Sequence, residues 1–282
     1  NQLFIGGHDS SNKISDNMAW IFKAPLTVAL GTQPGQAAQS LPDKSPRMTG
    51  VDAGPVYELR IYAANEGRLD HLINRFRNHT DRLFKKYKME PIGYWLPTDG
   101  TSRQRRKFVY ILKHPSRYEA YKNWTAFSND REWEAVLDQP EFRGLLSEHP
   151  ISIFMTANNY SEKVRNPIAK AGGIYELRTY TANPGKLDAL NARFRNHTTR
   201  IFNRHEIGNV DYWTPYNKPE SGDTLIYLIH HASRKQADAN WRAFGSDPVW
   251  QKVARDSQRD GKLLSRKPER LYLKALDFSA KK

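Results

Sequence analysis

A long segment of this 282-residue chain occurs twice. Each copy opens with Tyr-Glu-Leu-Arg-x-Tyr, at residues 57–62 and 175–180, and reaches an identical Arg-Phe-Arg-Asn-His-Thr, at residues 75–80 and 193–198. The distance between the copies is far longer than the roughly 20–50 residues that separate the repeats of solenoids and propellers. The chain therefore contains a small domain that has been duplicated.

Within each copy the pattern predicts the order strand, helix, strand, strand, helix, strand. In the first copy, alternation of apolar and polar residues predicts a strand over 56–63, and helical spacing of apolar residues predicts a long amphipathic helix after it. Ser116 is a suitable N-cap for the second helix. The remaining strands that we predict are 92–96, 108–113 and 151–157, with 271–276 closing the second copy.

This order of elements is typical of a ferredoxin-like α+β domain. The sheet face away from the helices must also be covered if it is apolar, and two such domains in one chain can cover each other. The sequence therefore predicts an α+β protein in which two ferredoxin-like repeats form an intrachain, pseudo-dimeric α/β barrel. The predicted divisions are a tail over 1–54, a first domain over 55–158, a linker over 159–172 and a second domain over 173–278.

The tail, residues 1–54, is rich in glycine and proline and shows little periodicity, so we expect loop or disorder unless it packs on the body. Its segment 18–30 runs into small residues and imitates an imperfect signal peptide. This pattern favours an exported, periplasmic location over a cytoplasmic one. A mitochondrial location ranks third, because the tail lacks the arginine-rich, acid-poor character of a transit peptide. No apolar run approaches the roughly 18 residues of a membrane span.

Charge and cysteine content exclude several classes of function. The chain has no cysteine, so disulfides, thiolate metal sites and a cysteine nucleophile are excluded. Its formal net charge is +14. Its densest basic run, residues 103–107, is either a solvated surface loop or a patch for an anionic partner. No nucleic-acid-binding motif accompanies it, so we predict no specific nucleic-acid recognition, whereas a protein partner stays open.

Several motifs occur in the same order in both copies. They are the two opening strands, the two identical hexapeptides, the Trp-x-x-Phe pairs beginning at Trp124 and Trp241, and the Asp-x-x-Trp segments ending at Trp133 and Trp250. Over roughly residues 55–278 these motifs resemble the NIPSNAP family, in the tandem arrangement of bacterial members. The resemblance implies a domain of the dimeric α/β-barrel superfamily.

The resemblance implies no agreed chemistry. Animal members of the family are linked to mitochondria, vesicle trafficking and mitophagy signalling. Relatives in the superfamily include cofactor-free monooxygenases, haem-degrading oxygenases and chlorite dismutase-like haem proteins. A shared fold does not carry a function from one protein to another, so these activities remain analogies.

The opening strand of each copy carries charged residues on one face. Alternation puts Tyr57, Leu59 and Ile61 on the opposite face, which we expect to lie under the helices, so the charged face should line the barrel interior. Buried charges are costly unless paired. This face is therefore either a Glu–Arg network that sets the register or the polar wall of a ligand cavity, with arginine anchors and glutamate bases. The candidate residues are Glu58, Arg60, Tyr62, Glu176, Arg178 and Tyr180.

The hexapeptides supply the second set of candidates. His79 follows Phe76 by three residues, so it is either a core histidine or a ligand of haem or metal or a general base. Arg75 could hold an anionic substrate beside it or form a salt bridge with Asp70. The candidates of this set are Arg75, His79, Arg193 and His197. For His114 and His231, at the end of the third strand of each copy, the position favours a role in the turn.

These residues lead to three hypotheses of function. The first is binding of a small apolar or anionic ligand in the barrel pocket, such as haem or a lipid-like or aromatic metabolite. The second is a cofactor-free or haem-dependent oxygenase, and the third a non-catalytic interaction or scaffold module, with a homo-oligomer as one option. A ligand binder requires a pocket reached by these side chains, whereas a scaffold tolerates a filled barrel. No catalytic residue or metal site can be assigned, because nucleophile, phosphate-loop and zinc motifs are missing from the sequence.

Overall fold

The computed structural model of the protein describes residues 54–165 and 173–280. The predicted tail, apart from residue 54, and the second half of the predicted linker therefore lie outside the described residues. Across this described part of the chain, none of the helices combines the length and apolar character that crossing a membrane requires.

Each repeat contains four strands with helices between them. The strands are β1 Val56–Ala63, β2 Glu90–Pro97, β3 Lys107–His114, β4 Ile151–Ala157, β5 Ile174–Thr181, β6 Gly208–Pro215, β7 Thr224–His231 and β8 Glu269–Ala275. The α-helices of the first repeat are α1 Leu69–Arg75, α2 Asp81–Lys86, α3 Ser102–Arg105, α4 Arg117–Ser128 and α5 Arg131–Leu137. The helix α6, Ser161–Val164, follows β4, and the second repeat adds α7 Leu187–Arg193, α8 Thr199–Arg204, α9 Arg234–Ser246 and α10 Pro248–Asp256.

The eight strands close into one antiparallel barrel, in the order β1-β3-β2-β8-β5-β7-β6-β4. Strand β2 pairs with β8 and β4 with β6, so each repeat completes the sheet of the other. Closure removes the free sheet edges that an isolated repeat would expose. The predicted α+β fold, with two ferredoxin-like repeats in an intrachain α/β barrel, is confirmed.

The two faces of the opening strands are assigned the other way round from the sequence prediction. Tyr57, Leu59 and Ile61 lie in the barrel interior, in a buried cluster with Trp95 and Trp213. Glu58, Arg60 and Tyr62, with their counterparts in β5, therefore face the helices. A barrel of eight strands has an interior just wide enough for its own side chains to fill. The apolar face fills that space, so the polar wall expected inside the barrel is absent from the described residues.

The predicted long helix is interrupted at the hexapeptide. Residues Phe76–Thr80 and Phe194–Thr198 form π-helical turns, and in the first the amide of Asp81 donates to the carbonyl of Phe76. The hydroxyl of Thr80 donates to the carbonyl of Arg75 at 3.2 Å, which stabilises the widened turn. π-helical turns are rare and often occur at functional sites. The duplicated hexapeptide thus encodes an unusual backbone geometry in both repeats.

The helices begin at side-chain caps that the sequence partly predicts. Ser116 Oγ accepts from the amide of Glu119 at 3.1 Å, which confirms the N-cap of α4.

The basic run 103–107 overlaps the short helix α3, where Arg103 pairs with Glu148 at 2.9 Å and Arg106 with Glu66 at 3.4 Å. Since these arginines have acidic neighbours on the same surface, the contacts favour the solvated-loop interpretation of the run.

Candidate functional site

Glu58 is the centre of a buried polar network between the sheet and the helices of the first repeat. Its side chain is 1% exposed. Its Oε1 accepts from Arg60 Nη1 at 2.7 Å and from Ser152 Oγ at 2.6 Å. Its Oε2 accepts from Trp124 Nε1 at 2.7 Å and lies 3.1 Å from His114 Nε2. The carboxylate thus joins strands β1, β3 and β4 to helix α4.

The carboxyl group of Glu58 is ionised. Burial by itself raises its pKa, but the Arg60 guanidinium and the hydrogen bonds from His114 and Ser152 outweigh burial and lower the pKa from 4.5 to about 2. An ionised carboxylate only accepts hydrogen bonds, so His114 Nε2 must carry a proton. All of these neighbours occupy its lone pairs, and Glu58 is therefore not free to act as a base.

The position of His114 corrects the turn role that its sequence position favours. The side chain is 0% exposed, and its Nδ1 has no hydrogen-bond partner among the described residues. In the ladder between β1 and β3, Glu58 lies opposite Leu112, and His114 is two residues further on the same face. The strand pattern contained that signal, because diagonal neighbours on one sheet face are within reach of long side chains.

The second repeat contains the same network with one donor fewer. Glu176 accepts from Arg178 Nη1 at 2.6 Å and from Trp241 Nε1 at 2.7 Å, and it lies 3.1 Å from His231 Nε2. Burial raises the pKa of Glu176, but these partners lower it overall. In the first repeat Ser152 lies opposite Arg60 in the strand ladder. In the second repeat Arg270 occupies the equivalent position, opposite Arg178, so the serine donor is specific to the first repeat.

Two phenol groups extend the network away from the carboxylate. Arg60 Nη2 lies 3.4 Å from the hydroxyl oxygen of Tyr62, and its guanidinium carbon lies 4.7 Å from the ring of Trp124. The hydroxyl groups of Tyr62 and Tyr110 are 3.0 Å apart. In the second repeat, Arg178 Nη2 is likewise 3.4 Å from the hydroxyl of Tyr180. The candidates of the opening strands thus lie together in both repeats.

Arg75 and Arg193 are buried cations with no anionic partner in the described parts of either repeat. Each residue is 7% exposed, and the Nε atom of each is buried without a hydrogen-bond partner within the described residues. The salt bridge between Arg75 and Asp70, left open by the sequence, is therefore not formed. Burial lowers the pKa of both guanidinium groups, and in the first repeat nearby Tyr62 and Tyr110 oppose that effect. A buried charge without a partner is costly, so these two positions are the most unusual in the site.

Aromatic rings surround the guanidinium groups of Arg75 and Arg193. The guanidinium carbon of Arg75 lies 5.3 Å from the ring of Trp133 and 5.7 Å from that of Phe76. In the second repeat, Arg193 lies 5.3 Å from the ring of Trp250. Guanidinium groups interact favourably with the faces of aromatic rings, but these rings carry no net charge. Within residues 54–165 and 173–280, no side chain therefore neutralises this positive charge.

The histidines of the hexapeptide lie outside this layer. His79 is half-buried, with its ring 5.7 Å from that of Phe142, and His197 is exposed. The core-histidine interpretation is therefore wrong for His197. His114 and His231 instead lie 3.1 Å from the glutamates of their own repeats. Within residues 54–165 and 173–280, no three His, Asp or Glu side chains are placed to hold a metal ion.

We expect the double variant His79→Leu with His197→Leu to fold normally. Because one ring is half-buried and the other exposed, the free energy of unfolding should change by less than about 1 kcal/mol. Urea unfolding followed by circular dichroism measures this change. Gross unfolding of the double variant would contradict the positions of both rings.

The fold and the site define a class of protein: a tandem barrel of two ferredoxin-like repeats, each with a glutamate network and a buried arginine beneath its helices. The chain belongs to the NIPSNAP family. The model of that family, described as NIPSNAP, matches residues 57–161 and 175–280, once for each repeat. No curated protein matches the sequence.

Solved structures with similar folds span both repeats or one. A candidate monooxygenase from Fusobacterium nucleatum is 10% identical and has a TM-score of 0.53, with 82% of this chain and 99% of that chain covered. A second, from Lactobacillus acidophilus, is 9% identical, with a TM-score of 0.52 over 81% of this chain and 96% of that one. A NIPSNAP domain protein from Burkholderia xenovorans is 18% identical over 37% of this chain and 96% of that chain, with a TM-score of 0.32. At such identities the first two similarities show the fold alone.

Proposed function

We propose that this protein binds a small anionic molecule in each repeat, between the sheet and the helices, with Arg75 and Arg193 as the anchoring cations. The observation that carries the proposal is a buried arginine, present at the same position twice, that has no counter-ion in the described part of the chain. Buried charges in proteins are normally paired, and a bound anion would supply the missing partner. Guanidinium groups also offer two parallel donors to a carboxylate or phosphate.

The site lies on a different face from the barrel pocket that the sequence suggests. The barrel interior is filled by an apolar cluster that includes Tyr57 and Trp213. The helix side instead combines a cation, Arg75, with the rings of Phe76 and Trp133. Such a mixture of apolar surface and a few polar groups is typical of small-molecule sites.

The scaffold hypothesis is supported by some of the same contacts. The barrel is filled, and Glu58 is paired with Arg60, which a purely structural protein also tolerates. A scaffold would hold Arg75 and Arg193 only by their contacts with aromatic rings, which supply no counter-ion. The binding hypothesis accounts for both arginines and is therefore preferred. An oxygenase would use the same site, but Glu58 has no lone pair left for proton abstraction.

The experiment compares two double variants by native mass spectrometry after gentle purification. We expect the wild-type protein to carry a small molecule that is released on denaturation. The bound molecule appears as a mass above that of the bare chain, and Arg75→Met with Arg193→Met should abolish this mass excess. Arg77→Met with Arg195→Met should retain it, because these neighbouring arginines are exposed.

The stability of the ligand-free variants separates binding from a structural role. Methionine in place of an unpaired buried cation should leave the free energy of unfolding unchanged or raise it by about 1 kcal/mol. A bound ligand stabilises only the folded state, so the mass excess and a raised melting temperature should disappear together. If Arg75→Met with Arg193→Met instead unfolds the protein, or keeps the bound molecule, the proposal is wrong.

A further inference from the structure

The hydroxyl groups beside Arg75 contain one more proton than their neighbours can accept. Tyr62 and Tyr110 share a single hydrogen bond, with oxygens 3.0 Å apart, but together they carry two protons. Arg60, the other neighbour, only donates, and its Nη2 lies 3.4 Å from the Tyr62 oxygen. Whichever tyrosine donates to the other, one phenolic proton therefore has no acceptor among the residues that the structure describes.

The second repeat has the same excess of donors. Arg178 Nη2 lies 3.4 Å from the oxygen of Tyr180 and brings only protons. The hydroxyl of Tyr227 is buried beside Tyr180, with ring centres 5.3 Å apart, and no carboxylate or carbonyl among the described residues accepts its proton. A buried donor without an acceptor costs about 1–3 kcal/mol, so both repeats lack an acceptor at the same point.

The unused proton and the unpaired cation of the first repeat lie around one ring. Phe76 is 1% exposed, and the centre of its ring is 5.8 Å from that of Tyr62 and 5.1 Å from that of Tyr110. The guanidinium carbon of Arg75 lies 5.7 Å from the same ring. In the second repeat the ring of Phe194 is 5.7 Å from that of Tyr180 and 5.1 Å from that of Tyr227. Both kinds of donor in the first repeat thus pack around the side chain of Phe76, and the tyrosine pair of the second repeat packs around Phe194 in the same way.

The balance of charge in this layer limits the ligand to a single negative charge. Glu58 neutralises Arg60 at 2.7 Å, which leaves only the charge of Arg75. A monoanion with two acceptor oxygens matches one guanidinium and one hydroxyl proton. Inorganic phosphate near neutral pH carries more charge and more oxygens than these donors can satisfy. The aromatic rings of Phe76 and Trp133 beside the cation favour an aromatic body over a purely polar one.

We propose that the ligand of each repeat is an aromatic carboxylate, held by the guanidinium of Arg75 or Arg193 and by the spare phenolic proton of the adjacent tyrosine pair. This proposal rests on the proposed function and specifies its ligand. One carboxylate oxygen accepts from the guanidinium, and the other accepts from the tyrosine hydroxyl. The tyrosines are thus positioning and specificity residues, and the arginines supply the charge.

Calorimetric titration with benzoate tests this inference. The wild-type protein, freed of any co-purified molecule by dialysis, should bind two benzoates per chain, and should bind inorganic phosphate at least about tenfold more weakly. The variant that removes the hydroxyl groups should bind benzoate about tenfold more weakly, because each repeat loses one hydrogen bond to a charged group. That variant combines Tyr62→Phe, Tyr110→Phe, Tyr180→Phe and Tyr227→Phe.

The control removes two exposed hydroxyl groups instead. Tyr118→Phe with Tyr121→Phe should bind benzoate as the wild type does, since these side chains are 46% and 57% exposed. Removing both partners of a buried hydroxyl pair is nearly neutral for stability, so the four-fold variant should remain folded. Unaltered benzoate affinity in that variant, tighter binding of phosphate, or no binding of benzoate to the wild type would each overturn the inference. The proposed function fails separately, if Arg75→Met with Arg193→Met keeps the co-purified molecule.

Discussion

Glu58→Leu is expected to lower the free energy of unfolding by about 3–5 kcal/mol, because it leaves a buried charge and several buried donors without a partner. The guanidinium of Arg60, with a side chain only 15% exposed, loses its ion pair. Trp124 Nε1 and Ser152 Oγ lose their acceptor at the same time. Urea unfolding at neutral pH measures the change.

Glu90→Leu is the matched control. Like Glu58, Glu90 forms an ion pair, in its case with Lys113 on the neighbouring strand. The two charged groups are 3.9 Å apart, and the side chain of Glu90 is 65% exposed. Exposed pairs of this kind contribute about 0–1 kcal/mol, so the control should be close to the wild type. The double variant Glu58→Leu with Arg60→Leu should recover part of the loss, because both charges are then removed. If Glu58→Leu is as stable as Glu90→Leu, the buried network does not hold the helices to the sheet.

Acid should destabilise the protein through the same carboxylate. The pKa of Glu58 is lowered from 4.5 to about 2 in the folded protein, so its contribution to stability is complete above about pH 4.5. As the pH falls through about 2, the folded state also takes up the proton and the contribution is lost. At about 1.4 kcal/mol for each pKa unit, the loss amounts to roughly 3 kcal/mol.

Urea unfolding at a series of pH values from about 6 down to about 2 measures this dependence. Other carboxylates also titrate in this range, so the useful quantity is the difference between the wild type and Glu58→Gln. The glutamine has no charge to lose, and we expect the difference between the two proteins to shrink steadily as the pH falls below 4.5. A difference that stays constant over the whole range would mean that the pKa of Glu58 is the same in the folded and the unfolded protein.

The fold could be predicted well because its signals are local. The alternation over Val56–Ala63 and the cap at Ser116 each depend on residues close together in the chain, and the structure confirms both. The barrel followed from the duplication, since two sheets with an apolar face can cover one another. Alternation separates the two faces of a strand but does not say which is inside. The prediction for the face that carries Glu58 and Arg60 was wrong for that reason.

The candidate site was predicted only in part. Alternation places Glu58 and Arg60 on one strand face, and the structure has them in one network. The sequence position of His114 suggests a turn instead, and no pattern connects Ser152 and Trp124 to Glu58. Ser152 lies 94 residues from Glu58 in the chain, and their contact exists only because β4 pairs with β1. No periodicity within one element reports such a contact.

Sequence by itself therefore determined the duplication, the order of the elements and the barrel, because turn residues and apolar periodicity act over a few residues. The tertiary structure decided which strand face fills the barrel, that Glu58 accepts from four donors, and that Arg75 and Arg193 are buried with no counter-ion among the described residues. Each of these depends on what packs against a side chain from distant parts of the chain. A charged residue becomes a candidate ligand anchor only when all of its neighbours are known and none of them neutralises it.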